Sequence, residues 1–121
     1  MKPAPDYVPA HGLLRGKSVL VTAAAGAGIG FAAAKRAAEE GCRALYISDA
    51  HERRLNEAVK AIQAETGLQE VYGLLCDVSQ EAQVQALIDD AEARMGGIDV
   101  LINNAGLGTS KRIVDMDDDE W

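Results

Sequence analysis

Cysteine is scarce in this chain. Cys42 and Cys76 stand 34 positions apart, with no second cysteine or histidine at metal-ligand spacing, so both read as small buried residues. Basic residues are outnumbered, 12 Lys and Arg against 19 Asp and Glu, for a formal charge of -7. A phosphodiester polymer is repelled by that overall field, which argues against nucleic acid as a partner. No apolar run approaches the roughly 20 residues of a membrane helix, and the opening MKPAPDYVPAHG has no apolar segment of the secretion-signal kind. No membrane partner and a cytoplasmic location are therefore expected. Proline occurs at positions 3, 5 and 9, within an N-terminal arm over residues 1–16. His11 lies in that arm and His51 where a helix should begin, and each reads as a solvated surface residue.

What is present is an ordinary globular mixture, 48% hydrophobic and 26% charged over 121 residues, enough for one domain. From residue 17 onward the chain alternates short apolar runs with amphipathic ones. KSVLVT (Lys17 to Thr22), RALYIS (Arg43 to Ser48), EVYGLLC (Glu70 to Cys76) and IDVLIN (Ile98 to Asn103) are strand candidates. Between them, FAAAKRAAEE favours helix and stops at Gly41. A second helix sets Leu55, Val59 and Ile62 on one face and stops at Gly67. A third, with Ser79 as its expected N-cap, buries Val84, Leu87, Ile88 and Ala91 and closes at Gly96 and Gly97.

Strands apolar nearly end to end, separated by amphipathic helices, indicate a parallel sheet covered on both faces. The expected fold is α/β, a partial Rossmann-type doubly wound sheet of about four strands and three helices, in the order 3-2-1-4. Near the end, DMDDDE carries five carboxylates and reads as a solvated face at a helix start.

The stretch VTAAAGAGIG raises a chemical question, because glycines at 26, 28 and 30 expose an unusual length of bare backbone. Following a strand and opening a helix, such a loop offers free amides and a helix dipole to an anion, and the glycines let a pyrophosphate descend onto the main chain. Asp49, 19 positions after Gly30 at the end of the second strand, is placed to accept hydrogen bonds from ribose hydroxyls. Its charge repels a 2'-phosphate, and Ala50 supplies no arginine to neutralise one, so NAD is favoured over NADP. The plainer alternative is a turn-forming glycine set and a helix-capping Asp49.

CDVS (Cys76 to Ser79) and NNAG (Asn103 to Gly106) fall at the ends of the third and fourth strands, the edge of a parallel sheet where ligands bind. With them the chain, from about Lys17 to Trp121, strongly resembles the short-chain dehydrogenase/reductase family. The resemblance implies that Gly26, Gly28, Ile29 and Gly30 border the pyrophosphate of NAD and that Asp49 holds the adenosine ribose. It further implies that Asp77 accepts from the adenine amino group while Val78 packs on the ring, and that Asn104, Ala105 and Gly106 line the cofactor's ribose side. Asn103 is expected to tie the loop to a neighbouring strand. Asp77 has a second reading as a helix cap, compatible with the first.

Two departures from the family pattern stand out. Alanines occupy 23 to 25 where the family's first glycine belongs, and Gly28-Ile29-Gly30 arrives one residue late. If that position needs a positive φ, alanine there costs on the order of 1 kcal/mol, with Gly26 taking over the permissive role. The second departure concerns chemistry, since the family uses a tyrosine with a lysine four positions later. Here His11, Ala50 and Cys76 follow Tyr7, Tyr46 and Tyr72 at that spacing.

The expectation is a dinucleotide-binding half (residues 17–121) of an NAD(P)-dependent oxidoreductase acting on an alcohol or carbonyl substrate, without catalytic residues and inactive alone. Val100, Leu101 and Ile102 are expected to form an open apolar edge that favours self-association, and the resemblance implies homo-oligomers. Two other classes are consistent with parts of the sequence. A methyltransferase using S-adenosylmethionine matches GAGIG but lacks the acidic residue expected just before the glycines, and a non-catalytic nucleotide-binding module accounts for the missing tyrosine and lysine.

Overall fold

The computed structural model describes residues 1–108 and 110–120. Strand β1 (Ser18–Val21) is followed by helix α1 (Ile29–Glu39), β2 (Ala44–Asp49), α2 (Glu52–Thr66), β3 (Val71–Leu75), α3 (Glu81–Met95), β4 (Val100–Ile102) and a single 3-10 turn, Ile113–Asp115. All strand pairings are parallel, in the order β3-β2-β1-β4. The elements and their order agree with the sequence expectation, and the strand boundaries fall within one or two residues of those of the apolar runs that announced them.

Alternation along the strands divides the core in two. Val19 and Val21 of β1 and Leu45 and Ile47 of β2 face α1 and α2, packing against Ala34, Ala37, Ala38, Leu55 and Ile62. Small alanines on α1 let that helix lie close to the sheet, and its contribution comes from fit rather than bulk. Leu20, Ala44 and Tyr46 point the other way, onto Leu87, Ala91 and Met95 of α3. Complete burial of a side chain such as Ile62 contributes about 1.5–3 kcal/mol.

The cover is uneven. Val84 and Ile88 of α3 are only partly buried, and Leu101 of β4 is 47% exposed. β4 pairs with β1 alone and stands at the sheet's edge, so the apolar edge expected from Val100, Leu101 and Ile102 is present.

The arm is tied down by charge. Glu40, 2% exposed, accepts from the amides of His11 (3.0 Å) and Leu13 (2.9 Å) and from Arg36 (2.6 Å). Arg36 in turn donates to the carbonyl of Val8 at 2.6 Å and lies over the Tyr7 ring. His11 is thus more than a solvated residue: its Nδ1 is 3.4 Å from Glu40 Oε1. Cys42 and Cys76 are both buried and unpaired, and burial raises both thiols. The acidic run forms turns rather than a helix start, with Asp115 paired to Arg112 and Glu120 to Lys111. Among the described residues, no helix is long and apolar enough to cross a membrane.

Candidate functional site

Parallel strands bring their carboxyl ends to one rim, and the loops that leave β1, β2, β3 and β4 meet there. A cleft of about 690 Å³ opens between them, walled by Ala23, Asp49, Asp77, Val78, Ala105 and Gly106 among others. Of the residues expected at a site, Asp49, Asp77, Val78, Ala105 and Gly106 therefore share one cavity. Gly26, Gly28, Ile29, Gly30 and Asn104 do not line it.

The glycine loop divides by role. Gly26 adopts φ +84°, a conformation that favours glycine, and a Cβ at Gly26 or Gly28 would meet nothing within 4 Å. Gly28 is the N-cap of α1, with no side-chain cap, and Ile29, the first helical residue, is 82% exposed. The amides of Ile29, Gly30 and Phe31 precede the first intrahelical bond, from Ala32 N to Gly28 O, and no acidic side chain occupies that turn. Open space above uncapped amides suits an anion. Gly30 differs from its neighbours: a Cβ there would lie 2.4 Å from the Ala23 carbonyl oxygen and 2.5 Å from Asn104 Nδ2. Its glycine serves packing.

Alanine replaces the expected glycine at 23 without avoiding the conformation. Ala23 has φ +51°, the one positive φ outside glycine among the described residues. Gly26 therefore shares the permissive role and does not relieve Ala23 of it.

Asp49 closes β2 with both oxygens engaged. Oδ2 accepts from the Ala25 amide and Oδ1 from the His51 amide, each at 3.1 Å. A carboxylate has roughly four acceptor positions, so capacity for ribose hydroxyls is retained. Asp77 accepts on Oδ1 from the Ser79 hydroxyl (2.7 Å) and amide (2.9 Å), and these bonds, the hydroxyl's foremost, hold its carboxyl below the ordinary range. Asp77 is therefore ionised and, among the described residues, receives no bond on Oδ2. Ser79 does not cap α3 as expected; its hydroxyl is committed to Asp77 and the N-cap is Gln80.

The tie expected of Asn103 falls to its neighbour. Asn104, not Asn103, makes the tie: its Nδ2 donates to the carbonyls of Thr22 (3.2 Å) and Ala23 (3.1 Å). Thr22 Oγ1 completes the joint, accepting from the amides of Asn104 and Ala105 at 3.0 Å each. Asn103 instead faces a second cavity of about 420 Å³ beside Leu101, Val84 and Ile88. Leu107, fully exposed, and His51, expected only as a solvated residue, also line the cleft. A leucine directly after NNAG was the available signal.

None of the three tyrosines lines either cavity. Tyr46 is buried and donates to Asp90; burial and then that carboxylate push its hydroxyl well above the ordinary range. Tyr7 and Tyr72 donate to Glu39 and Glu70.

A half-wound parallel sheet with an uncapped glycine-led helix and acids at successive strand ends is the framework of a dinucleotide-binding protein. Residues 17–121 match the short chain dehydrogenase family, and the chain belongs to that family. It is 56% identical over 118 residues to (5R,7aS)-5-hydroxy-7a-methyl-1-oxo-2,3,5,6,7,7a-hexahydro-1H-indene-carboxyl-CoA reductase of Mycobacterium tuberculosis, covering 98% of this chain and 44% of that one. A 3beta-hydroxysteroid dehydrogenase of Mediterraneibacter gnavus is 40% identical, with 87% and 37% covered. Among solved structures, a short chain dehydrogenase from Mycobacterium smegmatis superposes with a TM-score of 0.87 at 50% identity, covering 98% of this chain and 48% of that one. L-sorbose reductase from Gluconobacter frateurii, complexed with NADPH and L-sorbose, gives 0.78 at 30% identity, with 89% and 40% covered. The chain spans less than half the length of these relatives. Family membership sets aside the methyltransferase alternative.

Proposed function

We propose that this chain is the cofactor-binding half of an NAD-dependent oxidoreductase of the short-chain type, acting on an alcohol or carbonyl substrate. The observation that carries the proposal is the cleft, which joins Asp49, Asp77 and the 46% exposed Val78 at the rim from which the uncapped start of α1 also departs. Bound there, a nicotinamide dinucleotide supplies the hydride donor or acceptor. The chain's own part is to bind and orient. Amides of the Gly26–Gly30 loop hold the pyrophosphate charge. Asp49 accepts from the adenosine ribose, and Asp77 accepts from the adenine amino group while Val78 covers the ring. Ala105 and Gly106 present bare backbone on the other ribose side, and Asn104 acts by holding that loop to β1.

Preference for NAD rests on charge. Asp49 repels a 2'-phosphate, and Ala50, beside it in the cleft, has no cation to offer. No tyrosine reaches the cleft to exchange a proton with substrate, and the chain by itself is inactive in this reading. In this reading it also acts in the cytoplasm and assembles with copies of itself, a state that sedimentation velocity measures.

The test is parallel calorimetric titration with NAD, NADP and S-adenosylmethionine. NAD binds, NADP binds more weakly, and Asp49→Ala weakens NAD about tenfold, the loss of roughly one charge-assisted hydrogen bond. NADP binding as tight as NAD overturns the preference, and binding of neither overturns the reading.

A further inference from the structure

Ala23 holds a conformation that residues with a side chain rarely adopt, φ +51°, where the chain leaves β1. Strain of this kind persists only where the surroundings over-determine it, and it gathers at ligand clamps. Here the surroundings are explicit. The Ala23 carbonyl accepts from Asn104 Nδ2 at 3.1 Å and presses on the space that a Cβ at Gly30 would occupy. Immediately past the corner, the Ala24 amide donates to the Ser48 carbonyl at 3.0 Å, with the Ala24 methyl completely buried. One residue further, the Ala25 amide donates to Asp49 Oδ2 at 3.1 Å. The turn at Ala23 is what carries the chain sideways from the end of β1 over the end of β2, so that these two amides arrive in order.

We propose that Ala23 is a positioning residue for Asp49: its left-handed corner delivers the Ala25 amide that, with the His51 amide, holds the carboxylate at the cleft wall. A carboxylate gripped on both oxygens presents its remaining acceptor positions and its charge in one place. Selection between a ribose hydroxyl and a 2'-phosphate sharpens when that place does not move, because a swinging carboxylate can retreat from the phosphate. Glycine takes such a corner without strain, whereas a β-branched side chain is driven out of it. This use of the gripped carboxylate rests on the dinucleotide reading given above, whereas the grip itself belongs to the chain alone.

The experiment compares the 121-residue chain with Ala23→Val, which cannot hold the corner, with Ala23→Gly, which can, and with Ala27→Gly as a control for general loosening of the same loop. Amide exchange measured by NMR in the absence of any dinucleotide reads the grip, and titration with NAD and NADP reads its use. The expected result is severalfold faster exchange at Ala25 in Ala23→Val, with exchange at Ala25 no faster than wild type in Ala23→Gly and in Ala27→Gly. The ratio of NAD to NADP affinity falls by about threefold to tenfold in Ala23→Val and is kept in Ala23→Gly. Unchanged exchange at Ala25 in Ala23→Val, or equal acceleration in Ala23→Gly or Ala27→Gly, overturns the positioning role whatever the chain binds. Faster exchange in Ala23→Val alone, with neither dinucleotide bound by wild type, supports the positioning role and overturns the dinucleotide reading separately.

Discussion

The two ends of the sheet spend carboxylates differently. At the amino end, Asp99 Oδ2 accepts from the Ser18 amide (2.8 Å) and hydroxyl (3.1 Å), locking β4 to β1, and Glu40 gathers the arm. At the carboxyl end, Asp49 and Asp77 also accept from the backbone, yet both line the cleft. Asp99 and Glu40 line neither cavity. Residue type therefore says little about role here. An acid that only ties backbone segments together is a fastener, and an acid that holds a loop while lining a cleft is available to a ligand.

The comparison is most strongly tested by Glu40→Ala, which orphans two arm amides and leaves Arg36 without its close partner. The melting temperature is expected to fall on the order of 10 °C, with the arm becoming sensitive to protease. Retention of wild-type melting would show the arm to be unimportant to the fold.

Within the cleft end, Gly30→Ala and Gly28→Ala separate packing from ligand space. A methyl at 30 meets the Ala23 carbonyl at 2.4 Å and costs roughly 1–3 kcal/mol in denaturant unfolding. At 28 the methyl enters open space, so stability stays within about 0.5 kcal/mol while NAD binding weakens in calorimetry. Equal stability of the two variants would remove the distinction.

Acid sharpens the contrast further. Hydrogen bonds from Leu13 and His11, helped by Arg36, hold Glu40 down to about 2 from its ordinary 4.5. A carboxyl lowered in the folded state contributes stability that is full above the ordinary value and lost as pH falls toward about 2. Asp99, lowered by Ser18, acts in the same direction. Melting measured from pH 5 to pH 2 is therefore expected to fall more steeply for the wild type than for Glu40→Ala. Parallel slopes would mean that other carboxyls govern acid unfolding.

The smallest effect concerns Ser48, whose hydroxyl is buried without a partner among the described residues. Ser48→Ala removes an unsatisfied group and is expected to leave stability unchanged or raise it by up to about 1 kcal/mol. A clear loss by thermal melting would reveal a bond to solvent or ligand.

Much of this was legible along the chain because it is local. Apolar periodicity marks each strand and helix, and the acids at 49 and 77 stand where apolar runs end, so their place at the rim follows once the sheet is parallel. Asn103 and Asn104 were not separable in the same way. Adjacent identical residues point to opposite faces, and which one meets Thr22 depends on the register that sets Ile102 against Val21. The cap at Ser79 failed for a related reason, since Asp77 competes for the same hydroxyl two residues away.

By itself, then, the sequence determined the order of elements, the parallel sheet and the acids and glycines at its rim, because these follow from spacing within a few residues. Tertiary structure alone decided that Ala23 turns left-handed, that Gly30 is a packing glycine, that Asn104 is the tie and that Glu40 fastens the arm. Each of the four rests on contacts between segments far apart in the chain, such as Asn104 Nδ2 to the Thr22 carbonyl across 82 positions. Local preference does not encode such contacts, and in Ala23 it is overruled by them.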